Sequence, residues 1–171
     1  MTVTGFFFFS IAAVVLISAI LVVVLRNPVH SALSLVLTFF SLAGLYILLN
    51  AQFIAAIQVI VYAGAIMVLF LFVIMLLNLD KEKRVGEKHP LQKAFGIAIA
   101  VFLLVALGSI VAAGVLYGNK GIHTDAKVSA IGNTKAIASL LFTDWVLPFE
   151  IASILLLAAI VGAIVLSKKE L

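Results

Sequence analysis

Uncharged apolar stretches alternate with short polar clusters along this chain of 171 residues. A helix rising about 1.5 Å per residue needs about 20 mainly apolar residues to cross a hydrocarbon core roughly 30 Å thick. Five stretches meet that length, at residues 4–25, 29–49, 53–79, 94–117 and 145–166. Arg26, Asn27 and Pro28 close the first, and Pro28 suits the opening turn of the second. The third runs 27 residues without a charge. The pattern predicts an all-α integral membrane protein: a single membrane domain over residues 1–171 with five transmembrane helices. The first stretch reads as a retained span rather than a cleaved signal peptide. No basic residue precedes it, its core is too long, and Arg26 follows it.

The connections add detail. Only Asn50, Ala51 and Gln52 separate the second and third stretches, so those helices are antiparallel neighbours. The outer loop, residues 118–144, begins with the polar run GNKGIHTDAK and continues with Ile137, Leu140 and Leu141 at helical spacing. Asn133 or Thr134 is the candidate N-cap of a short helix lying at the interface.

Composition agrees with the pattern. The chain is 65% hydrophobic and 11% charged, with a mean hydropathy of +1.36. A soluble domain runs about 45–50% apolar and about 25% charged, so a water-facing fold is excluded. The net charge of +4 carries orientation rather than nucleic-acid binding, because the basic residues are spread over short loops. Arg26, Lys81, Lys83, Arg84, Lys88, Lys93, Lys168 and Lys169 flank one side, and Lys120, Lys127 and Lys135 the other. Basic residues favour the cytoplasmic side, which puts the N-terminus outside and the C-terminus inside.

Candidate chemistry is sparse. The absence of cysteine excludes thiolate nucleophiles, disulfides and cysteine-ligated clusters. His30, His89 and His123 sit at span ends or in loops without metal-ligand spacing. No glycine-rich phosphate cradle, nucleophile elbow or carboxylate dyad is present, so catalysis by the isolated chain is not expected. Glu150, behind Asp144, Trp145 and Pro148, is the exception among the spans. Two readings stand side by side: a first-turn acid favoured by the helix dipole, or a carboxyl exchanging protons with neighbouring helices.

The third stretch is the most informative. Gln58 and Tyr62 are four apart, which an α-helix places on one face. Ala63, Gly64 and Ala65 follow, and three small residues in a row make a waist where other helices approach closely. Gly64 also lowers the cost of a π-bulge, with its i→i+5 bonds. An ordinary packing helix with a buried tyrosine is the alternative. Elsewhere Ser31, Ser34, Thr38 and Ser41 form a hydroxyl stripe. Gly108 with Ala112, Gly114 with Gly118, and Ala158 with Gly162 have the spacing of close helix contacts, as in a chain surrounded by other helices.

The run FIAAIQVIVYAGAIMVLFLFVIMLLN resembles the third helix of the J subunit (NuoJ type) of proton-pumping NADH:quinone oxidoreductase, respiratory complex I. RNPVHSALSLVLTF is similar to that family's first loop and second helix, and LFTDWVLPFEIASILLLAAIVGAIVLSKK to its last helix. The resemblance implies a membrane-arm subunit in the bacterial plasma (inner) membrane, packed in lipid against the A, H, K and N subunits. It implies that FMN, iron–sulfur clusters and quinone are bound by other chains. It further implies that Tyr62 is the family's third-helix tyrosine and that Gly64 lies in a segment interconverting between α and π-bulged forms, which makes or breaks a water-and-proton path. Glu150 matches the acid of the PFE motif. The coupling or proton-path candidates are therefore Gln58, Tyr62, Gly64 and Glu150. The alternatives are a component of a related cation/proton antiporter or membrane hydrogenase assembly, and a purely structural spacer subunit.

Overall fold

The computed structural model describes residues 2–77, 90–117 and 125–168. Lys81, Lys83, Arg84, Lys88, His89, Lys120, His123 and Lys169 lie outside the described residues. Every regular element among the described residues is a helix: α1 (Val3–Val24), α2 (Pro28–Leu48), α3 (Gln52–Ile57), a π segment (Gln58–Ile66), α4 (Met67–Leu76), α5 (Pro90–Tyr117), α6 (Asp125–Ile131), α7 (Asn133–Leu141) and α8 (Val146–Ser167). The third to fifth of these run on as one crossing, Gln52–Leu76, called span three below. Among the described residues, five helices are thus long and apolar enough to cross a membrane. The fourth starts at Pro90, ahead of the apolar stretch, because a helix can take in the polar residues before Ala94 while the hydropathy pattern stops at Lys93.

α1 and α2 form an antiparallel hairpin held by polar groups as well as by shape. Asn27 Oδ1 accepts from the Val29 and His30 amides at 2.9 and 3.4 Å, capping α2 just ahead of Pro28. Ser18 is 1% exposed, the most buried side chain described. Its hydroxyl donates to the Val14 carbonyl at 2.7 Å and stands 2.8 Å from Thr38 Oγ1, which is also buried. The Thr38 proton has a second acceptor in the Ser34 carbonyl at 2.9 Å. Ser31 donates across to the Val22 carbonyl. Half of the hydroxyl stripe on α2 therefore bridges to α1, where lipid offers no competing partner. Near the far end Gly44 admits Ile11, whose methyl would lie 3.4 Å from a β-carbon there.

The turn into span three is a Schellman motif. Asn50 takes a φ of 58°, its amide bonds to the Ile47 carbonyl, and the Ala51 amide bonds to the Tyr46 carbonyl at 2.9 Å. Asparagine accepts this left-handed conformation more readily than most residues with a side chain. The antiparallel neighbours expected from the short link are observed, with α2 packed along all three parts of span three. Ala32, Ala43, Ala55, Ala63 and Met67 supply the buried apolar core, small residues being what lets membrane helices approach.

The outer loop of the sequence reading holds two helices, α6 and α7, joined at Gly132 with φ 92°. That backbone is open to glycine alone. The N-cap position of α7 is Gly132, not Asn133 or Thr134, and no side chain caps α7. α8 follows after a tight turn, tied back by the Phe142–Phe149 edge contact at 5.1 Å. α5 and α8 are apolar all round and almost wholly exposed along their described lengths.

Candidate functional site

The π segment is built into the middle of span three without proline. The Met67 amide closes it by reaching back five residues to the Tyr62 carbonyl. A π turn holds one more residue than an α turn spans, and the buried positions record where it enters. They are Ala55, Gln58, Ala63 and Met67, at steps of three, five and four. The five-residue step brings Ala63, rather than Tyr62, onto the buried face with Gln58.

This corrects the sequence expectation for the polar pair. Gln58 is 7% exposed, while Tyr62 is 46% exposed and turned out of the packed face. Its ring meets Phe39 of α2 edge-on, with centroids 5.8 Å apart and planes at 65°. The i, i+4 rule that pairs Gln58 with Tyr62 assumes α geometry, which the π segment suspends. No buried side-chain polar atom among the described residues lacks a hydrogen-bond partner.

Gly64 lies at the tightest point. A β-carbon built there would stand 3.1 Å from the Val59 carbonyl oxygen, five residues back. The waist is filled on one side only: Ala63 is buried, Gly64 half-buried and Ala65 exposed.

Upstream, span three is capped from outside itself. Its own N-cap position, Ala51, offers no side-chain acceptor. The amide of Phe53, in the first turn, donates instead to Asn133 Oδ1 of α7 at 3.2 Å, a contact between residues 80 apart in sequence. The local sequence suits Asn133 to capping α7, whereas its acceptor serves span three.

Glu150 lies apart from these groups. It is the fifth residue of α8, so it stands beyond the first turn, about 6 Å along the axis from Val146. It is exposed, and its carbonyl accepts from Ser153 Oγ at 2.7 Å. Glu150 thus stands one residue past the first turn of α8. Among the described residues no group of three or more His, Asp or Glu stands close enough to hold a metal ion.

The family profile described as NADH-ubiquinone/plastoquinone oxidoreductase chain 6 matches residues 18–166, an interval containing the π segment, Asn133 and Glu150. The chain belongs to that family. Curated relatives agree over nearly the whole length. NAD(P)H-quinone oxidoreductase subunit 6 of the organellar chromatophore of Paulinella chromatophora is 43% identical, covering 96% of this chain and 78% of the relative. NADH-quinone oxidoreductase subunit J of Rickettsia conorii is 37% identical over 96% of this chain and 80% of its own. The Rhodobacter capsulatus subunit J is 35% identical over 99% and 84%. The chain 6 (subunit J) assignment makes this protein a membrane subunit of the NADH-quinone oxidoreductase type, with other subunits of that complex as its partners. The resemblance first seen in YAGAIMVLF is thus borne out.

Proposed function

We propose that this chain 6 subunit couples quinone reduction to proton translocation through its deformable third crossing, without catalysing either step itself. The observation carrying the reading is the π segment at Gln58–Ile66, with a glycine where a β-carbon would meet the Val59 carbonyl. Removing one residue from a bulge turns the downstream half of a helix by about 100°. With Ala55 and Gln58 held against α2, the α register would bring Tyr62 and Ile66 into the places of Ala63 and Met67. The tyrosine hydroxyl would then swing from the open surface into the packed face, where it can join or break a chain of water. Gln58 supplies an amide on the same face. Glu150 is a separate carboxyl on α8 able to exchange protons with a neighbouring helix.

The bacterial plasma membrane is the proposed location, with the A, H, K and N subunits against α5 and α8. Nothing stands within 4 Å of a β-carbon at Gly108 or Gly162, which leaves both small-residue faces free to receive helices. FMN, the iron–sulfur clusters and quinone are assigned to other subunits. Such clusters are held by cysteine thiolates, and this chain has no cysteine.

Gly64→Val tests the reading. The complex should assemble in normal amount and oxidise NADH with an artificial acceptor, while quinone-coupled pumping falls. Failure to assemble would instead favour a spacer role.

A further inference from the structure

We infer that Asn133 of α7 is a positioning residue for coupling: it fixes the upstream end of span three, so that a register change in the π segment is delivered to α4. This rests on the coupling role proposed above and adds a residue outside the membrane crossing to it.

A change of register in mid-helix does not by itself choose which half turns. The half held more firmly stays, and the other rotates. Three features hold the upstream half. The Schellman turn fixes residues 46–51, with amides of Asn50 and Ala51 bonded back into α2. Ala55 and Gln58 are buried. Asn133 Oδ1 accepts the Phe53 amide, one of the first-turn donors that a helix cannot satisfy internally. Downstream, Met67 is the one buried side chain of α4.

The placement of Asn133 is specific. Gly132, at φ 92°, breaks the chain between α6 and α7 and sets Asn133 at the first position of α7. An asparagine there would ordinarily serve its own helix, yet no side chain caps α7. Its acceptor is spent on span three instead. The bond needs only an acceptor oxygen, and the helix N-terminus favours negative charge. Aspartate should therefore replace asparagine, and alanine should not.

The experiment compares Asn133→Ala, Asn133→Asp and Gly64→Val in the assembled complex in native membranes. Assembled amount, NADH oxidation with an artificial acceptor, and protons moved per NADH are measured for each. Hydrogen exchange over residues 50–57 is followed in the same preparations. Losing one ordinary hydrogen bond shifts an equilibrium about five-fold. Asn133→Ala should raise exchange at residues 50–57 by about that factor and lower protons per NADH at unchanged assembly, and Asn133→Asp should restore both. The inference is overturned if the alanine variant pumps like the parent, if aspartate fails to restore pumping, or if alanine abolishes assembly, since the contact would then serve assembly. Should Gly64→Val lower pumping while Asn133→Ala does not, only this inference falls. Should neither variant change pumping, the coupling role falls with it.

Discussion

The carbonyl oxygen of Val59 stands 3.1 Å from the point a β-carbon on Gly64 would occupy. That distance is tighter than ordinary carbon–oxygen contact, and the two residues are five apart, the spacing of a π bond. A side chain at position 64 therefore presses on the π form specifically. Gly64→Ala is expected to tilt span three toward continuous α, with valine acting more strongly. A density map of the variant complex checks this, and an intact π segment at Gln58–Ile66 would refute it.

Tyr62 separates ring from hydroxyl. Its ring rests edge-on against Phe39, a contact that phenylalanine keeps. Tyr62→Phe is expected to assemble normally and to lose about two- to five-fold in protons per NADH, the scale of one hydrogen bond that water partly replaces. Tyr62→Ala should in addition lower the thermal stability of the complex. Equal pumping by the phenylalanine variant and the parent would remove the hydroxyl from the path.

Ser18 and Thr38 offer a test of the α1–α2 hairpin alone. Their hydroxyls are 2.8 Å apart in a buried, lipid-depth setting. Interhelical hydrogen bonds in membranes average about 0.6 kcal/mol and reach about 1.7 kcal/mol. A double-mutant cycle with Ser18→Ala and Thr38→Val, read by thermal denaturation of the complex, should give a coupling energy in that range. Additive single effects would show that the hydroxyls merely sit together.

Glu150 is exposed at the fifth position of α8, near one end of a helix long and apolar enough to cross a membrane. A carboxylate at the bilayer centre costs about 2.5–3.5 kcal/mol, falling toward the edge. Glu150→Gln keeps the size and removes the proton. The variant is expected to assemble and to move fewer protons per NADH. Pumping unchanged across pH would make Glu150 a simple interfacial acid.

Different residues were legible in the sequence to different degrees. The five crossings follow from runs of apolar residues, a local property that no fold is needed to read. The small-residue waist at Ala63–Gly64–Ala65 was visible for the same reason, since small size is local too. The five-residue step from Gln58 to Ala63 was not, because it depends on which residues α2 selects. Ser18 carried no signal at all: a lone serine in an apolar run acquires meaning only from Thr38, 20 residues away. Asn133 looked like a cap for the helix it begins, and capping statistics describe only such local bonds. Its actual partner, Phe53, is brought to it by the turn at Asn50 and the break at Gly132.

By itself, then, the sequence determined that the chain carries five stretches long and apolar enough to cross a membrane and which family it joins. Transfer from water to lipid is summed residue by residue, and the family signature is a string of letters. Tertiary structure alone decided which side of the first three crossings is buried, why Tyr62 faces outward while Gln58 does not, and which amide Asn133 receives. Lipid tails are as apolar as leucine, so hydropathy cannot rank one face of such a helix above another. Packing of small residues and the need of each buried polar group for a partner make that choice.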